Sequence, residues 1–133
     1  MARIVLVMHE PLGHAFATCA AHVLGCEPRL TVFDVIPDEN PETATDRLTD
    51  LLSDYKEGTI LVLSDIFGAT PFNIARKALA QLGQQGAQGH LVTGTNLCMV
   101  LKALTDNQDD PERFSETIRQ AAVRGIVDAA TFA

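Results

Sequence analysis

The sequence predicts an α/β fold, one doubly wound and mostly parallel sheet flanked by helices. Three observations predict it. Short apolar runs alternate with helical patterns from end to end, as they do in β-α-β units. Two of the runs, Ile4-Val5-Leu6-Val7-Met8 and Ile60-Leu61-Val62-Leu63, are apolar at every position, as strands covered on both faces are. Each then turns polar at once, at His9 and at Ser64-Asp65. In open parallel sheets, functional groups collect beyond the carboxyl ends of the strands.

The first strand is predicted from about Arg3 to Met8, followed by a helix from about Gly13 to Leu24 that Gly25 closes. Leu30 to Val35 reads as the second strand, entered after Pro28. Asn40-Pro41-Glu42 then starts a helix, with Asn as cap and Pro at the first position. Ala44, Leu48, Leu51, Leu52 and Tyr55 form its apolar face at helical spacing. Gly58 breaks this helix before a third strand, Thr59 to Ser64. Thr70-Pro71 opens a third helix through about Leu82, and the Gly/Gln stretch from Gly83 to Gly89 reads as a flexible connection.

His90 to Thr93 is the predicted fourth strand, which puts His90 at the opposite sheet edge from His9. Leu97 to Leu104 is a short helix. Asp110-Pro111-Glu112 repeats the cap-proline-acid start, with Phe114, Ile118, Ala121 and Ala122 as the buried face that follows. Ile126 to Phe132 reads as a final strand. No internal repeat or domain boundary interrupts residues 1–133, so a single domain is expected.

Composition narrows the class. Hydrophobic residues make up 47% of the 133, with one Tyr and six Phe, so the core is aliphatic. The longest apolar run is far short of a membrane span, and the N-terminal run lacks the features of a signal peptide. A cytoplasmic domain without membrane insertion is expected. The net charge is −7, from 17 acidic and 10 basic residues. No basic cluster exceeds Arg76-Lys77, which argues against a nucleic-acid partner. Cys19, Cys26 and Cys98 are an odd number without a C-x-x-C pair and read as buried thiols.

His9 and Asp65 are the candidate catalytic pair, an imidazole and a carboxylate at the ends of two strands of one sheet. A histidine held by an aspartate is a nucleophile or base with its tautomer fixed. The stretch Asp65 to Asn73 adds a glycine turn and a helix N-terminus, which presents N–H groups suited to phosphate. Within it, Thr70 caps the helix or binds an anion, and Phe67 is an exposed contact or a loop anchor. Gly94-Thr95-Asn96 lines the same edge, or forms a tight turn with Asn96 as a helix cap. Val35-Ile36-Pro37 is an apolar wall or a simple turn.

Sharper motifs are absent. His9-Glu10-Pro11-Leu12-Gly13-His14 has the wrong histidine spacing for a zinc-protease helix. His14 and His22 share a helix face but stand roughly 12 Å apart along the axis, too far for one metal. His14, His22 and His90 therefore read as surface or packing residues. No P-loop or G-x-G-x-x-G is present, and Ser64 lacks a nucleophile elbow. Neither a metal nor a bound cofactor is expected.

Taken in order, several short motifs resemble the mannose-family IIA domain of the bacterial phosphoenolpyruvate-dependent sugar phosphotransferase system (PTS). They are the strand ending in His9, Asp34-Val35-Ile36-Pro37 with Glu39-Asn40, Ser64 to Asn73, and Thr93-Gly94-Thr95-Asn96. The resemblance spans nearly the whole chain. It implies a reversible phosphohistidine carrier in which His9 is phosphorylated and Asp65 orients its ring. Gly68, Ala69 and Thr70 match the loop beside the phosphoryl group. The implied donor is the small phosphocarrier protein of the relay.

The resemblance also implies a homodimer whose C-terminal strand, about Ile126 to Phe132, crosses to the other subunit. No linker to a fused IIB domain follows, so a separate IIB protein is the expected acceptor, or the phosphorylated state is itself a regulatory signal. The related domain that serves dihydroxyacetone kinase and a non-catalytic phosphorylation-sensing module are the alternative readings. One departure stands out: Glu10-Pro11 follows His9 where the family frequently has glycine. A carboxylate there works against a phosphoryl group or favours a charged histidine.

Overall fold

The computed structural model describes residues 1–55 and 58–132. Four parallel strands run β1 (Arg3–His9), β2 (Thr31–Val35), β3 (Thr59–Ser64) and β4 (Gln88–Val92), in the spatial order β2-β1-β3-β4. Five helices connect and follow them: α1 (Leu12–Leu24), α2 (Pro41–Leu52), α3 (Thr70–Gly83), α4 (Leu97–Thr105) and α5 (Pro111–Arg124). The predicted doubly wound sheet is thus present, and every strand pairing in it is parallel.

Alternation along the strands divides the core into two layers. Ile4, Leu6, Met8, Leu61 and Leu63 face Ala20, Met99, Val100, Ala103, Phe114 and Ile118 of α1, α4 and α5. Val5, Val7, Ile60 and Val62 face Ala44, Leu48, Leu52, Ile74, Ala78 and Leu82 of α2 and α3. A strand buried on both sides has no place for a polar alternation, which is why β1 and β3 read as unbroken apolar runs.

Local chemistry sets most helix ends. Asn40 accepts hydrogen bonds from Glu42 and Thr43 N–H, Asp110 from Glu112 and Arg113 N–H, and Asn96 from Met99 N–H. Gly25 closes α1 in the left-handed conformation, with φ at 73°.

Several expectations change. Leu51 is exposed, and Thr45 takes its place in the buried face of α2. At about 100° per residue, Leu51 lies well to one side of the direction shared by Ala44, Thr45, Leu48 and Leu52. Thr45 tolerates burial because its hydroxyl donates to Pro41 O at 2.7 Å. In α5 the buried set is Phe114, Ser115, Ile118 and Ala122, while Ala121 is only half-buried. Strand β4 begins at Gln88, so His90 sits within it and not at its start. Gly89 pairs with Ile60 in the ladder, where a Cβ would crowd the Leu79 side chain and the Ile60 carbonyl. All three cysteines are exposed, not buried; Cys19 lies outward on α1 beside the buried Ala20.

The predicted final strand is also absent from this chain. Ala129–Phe132 form a 3-10 turn after α5. Asp128 decides this locally: its carbonyl accepts from Thr131 N–H and hydroxyl, and its carboxylate accepts from Ala130 N–H. Without a neighbouring strand to pair with, such local bonds win. Ile126, Val127 and Phe132 remain exposed.

Candidate functional site

The strand order reverses direction between β1 and β3. From β1 the chain moves outward to β2, whereas β3 leads to β4 on the other side. This is the topological switch point, where the loops diverge and leave a crevice at the carboxyl edge. His9 ends β1 and Asp65 directly follows β3, so the two residues flank that crevice.

They touch. Asp65 Oδ2 lies 2.9 Å from His9 N and 2.7 Å from His9 Nδ1, and Asp65 Oδ1 accepts from Ile66 N–H at 3.0 Å. The Asp65 side chain is only 7% exposed, against 48% for His9. Burial acts to raise the Asp65 pKa, but the His9 backbone N–H, the His9 ring and Ile66 N–H together hold it below its ordinary value. Asp65 is therefore a carboxylate at neutral pH and can only accept, so Nδ1 must carry the proton. In the neutral ring the lone pair is then on Nε2, and the His9 side chain is half-exposed.

The loop after Asp65 is built for close approach. Gly68 has φ at +83°, a conformation that residues with a Cβ adopt rarely. Asn73 Nδ2 donates to Gly68 O at 3.1 Å and ties the loop to α3. Thr70 is not the cap: it is the first residue of α3, and Ala69 occupies the cap position without a side-chain bond. Among the described residues, the N–H groups of Thr70 and Phe72 have no backbone acceptor. Helices α2, α4 and α5 have their own side-chain caps, and Asp34 supplies one to α1. Helix α3 is left open, an N-terminus with unspent donors and positive partial charge.

Phe67 is exposed, at 77%, and leans on Phe72 with ring centroids 5.0 Å apart. Leu12 at the start of α1, and Ile36 and Ile66 in the loops after β2 and β3, are also exposed, so apolar surface follows each of β1, β2 and β3 at this edge. Asn96 is committed elsewhere: its oxygen caps α4 and its Nδ2 donates to Ala122 O at 3.0 Å. Its neighbours brace the site from behind, with Gly94 N–H donating to Asp65 O, and Thr95 N–H and hydroxyl to Ser64 O. Among the described residues no group of three or more His, Cys, Asp or Glu is placed to hold a metal.

Sequence reading missed one partner. His14 is exposed, as expected, but it is not a bare surface residue: its Nδ1 lies 2.8 Å from Asp34 Oδ2. The signal was Asp34, a carboxylate one residue before the end of β2.

Residues 3–121 match the family described as the PTS system fructose IIA component. The chain belongs to this family. As a PTS IIA component, it is a phosphotransferase-type part of a sugar phosphotransferase system. The PTS system sorbose-specific EIIA component of Lacticaseibacillus casei is 28% identical over 99 residues, covering 74% of this chain and 69% of that relative.

Two solved structures repeat the fold. The phosphotransferase system component EIIA from Streptococcus agalactiae superposes with a TM-score of 0.86 at 22% identity, over 98% of this chain and 99% of that one. The mannose/sorbose specific IIA subunit from Enterococcus faecalis gives 0.86 at 18%, over 96% and 93%. In this PTS IIA component, no helix among the described residues is long and apolar enough to cross a membrane.

Proposed function

We propose that the protein is a phosphohistidine carrier. His9 Nε2 accepts a phosphoryl group from the small phosphocarrier protein of the PTS and passes it to a IIB acceptor, or holds it as a regulatory signal. The observation that carries this reading is the double contact of Asp65 Oδ2 with His9 N and Nδ1. It fixes the tautomer in which Nε2 is the nucleophile.

The chemistry follows from the same groups. The Nε2 lone pair attacks phosphorus as the donor nitrogen leaves, and positive charge develops on the His9 ring. The Asp65 carboxylate faces that charge and stabilises it. The unpaired N–H groups at the start of α3, reached across Gly68 and Ala69, are suited to the equatorial phosphoryl oxygens. No cofactor takes part in the step. Phe67 and the other apolar side chains at this edge suit a protein donor, which must bring its own phosphohistidine against an exposed ring. The proposed setting is the cytoplasm, where such a relay operates.

The test is a reconstituted relay of phosphoenolpyruvate, the first enzyme and the phosphocarrier, followed by peptide mapping under non-acidic conditions. The expected product carries phosphate on Nε2 of His9, and His9→Ala loses it. Wild-type protein that remains unlabelled at His9 overturns the reading.

A further inference from the structure

Asp34, on the far side of β1 from Asp65, repeats its construction. Its side chain is 6% exposed and accepts three hydrogen bonds. Oδ1 takes Gly13 N–H at 2.9 Å, while Oδ2 takes His14 N–H at 3.2 Å and meets His14 Nδ1 at 2.8 Å. In both pairs one carboxylate oxygen meets the backbone N–H and the ring Nδ1 of a single histidine, and the other takes a neighbouring N–H. Gly13 is part of the arrangement, because a Cβ there would collide with Asp34 and Val32.

Capping α1 needs only the two backbone donors. The imidazole goes beyond that need. A carboxylate with these donors accepts from Nδ1–H, which leaves Nε2 of His14 with its lone pair on a ring that is 73% exposed. We propose that His14 is a second phosphoryl-accepting imidazole, served by the same N–P class of donor as His9. The identity of that donor rests on the carrier reading above.

In the transfer, the His14 Nε2 lone pair forms the new N–P bond while the donor's N–P bond breaks. The donor ring, protonated on its other nitrogen, leaves as neutral imidazole with the bonding pair. The product is a phosphoimidazolium that keeps Nδ1–H on Asp34, so the positive ring faces a carboxylate and the cap of α1 survives. His14 differs from His9 in one respect. The N–H groups of Gly13 and His14 are consumed by Asp34, so no open helix start receives the phosphoryl oxygens, and His14 reacts more slowly.

The experiment incubates His9→Ala protein with phosphoramidate, a small N–P donor, and maps phosphate by mass spectrometry under non-acidic conditions. His22 is the internal control, exposed on the last turn of the same helix and held by no carboxylate among the described residues. His14 is expected to label at least about tenfold faster than His22, because its tautomer is fixed. In folded His9→Ala/Asp34→Asn protein that preference should disappear. Labelling of His14 no faster than His22, or no label at all, overturns the proposal, and so does a preference that survives Asp34→Asn. The comparison with His22 needs no change at Asp34, so it decides the matter even if that variant does not fold. Relay labelling of His9 in wild-type protein is a separate readout, and it stands or falls independently.

Discussion

Asp65 links stability to chemistry through one oxygen. Its pKa is lowered in the folded protein, so between the folded and unfolded values the unfolded chain binds more protons. Stability then rises with pH across that window, and the contribution is lost as pH falls through the folded value, below the usual carboxylate pKa of about 3.9. Asp65→Asn is expected to flatten this acid limb in urea titrations between neutral and acid pH. An unchanged limb would show that the carboxylate is not held as described. The same variant frees the tautomer of His9 and should slow relay labelling by roughly 100-fold or more, while circular dichroism stays native. Of the loop residues named from sequence, Gly68 has its reason in a positive φ. Asn96 caps α4 and also lines the groove beside β4. Capping and pocket-lining place the same residue after the same strand, so sequence does not separate them.

Among the elements, α3 and α5 show what local sequence can and cannot decide. Asp110-Pro111 starts α5 as expected, since the cap bond spans only two or three residues. Thr70-Pro71 looked similar, yet Ala69 is the cap and the helix start stays open. Threonine at a helix start reads as a cap unless the position of the preceding loop is known. Helix α5 contributes the fully buried Phe114 to the layer it shares with α1 and α4. Phe114→Ala is expected to cost about 3–5 kcal/mol in denaturant unfolding. His9 labelling by the relay should persist at temperatures where the variant is folded, because the Asp65 contact lies at the sheet edge. A loss below about 1 kcal/mol would mean that this layer repacks freely.

Among the described residues the sheet has two edge strands, β2 and β4, and the outer side of β4 is one of its two open edges. Beside it runs a groove of about 710 Å³ lined by Phe67, Phe72, Val92, Met99, Val123 and Ile126. The segment from Ile126 to Phe132 carries exposed Ile126, Val127 and Phe132. An open edge and an unpartnered apolar segment in one chain fit exchange between two copies, the homodimer that the resemblance implies. A strand that pairs only in the assembly can read as a strand in sequence and still turn locally in a single chain. The full chain is expected to sediment as a dimer, and a chain cut after Gly125 as a monomer. A monomer in both cases removes the exchange.

The sequence by itself determined the alternation of strands and helices, the double-sided burial of β1 and β3, and the strand ends that carry His9 and Asp65. Those features come from local spacing and from which faces are covered, and both are written along the chain. Only the tertiary structure decided that β1 and β3 are neighbours at the switch point, so that a carboxylate 56 residues away meets Nδ1 of His9. It also decided that Asp34 caps α1 from the next strand and holds His14, and that α3 starts without a side-chain cap. Each of these is a contact between residues far apart in sequence, or the absence of a near one, and such contacts are set by sheet order.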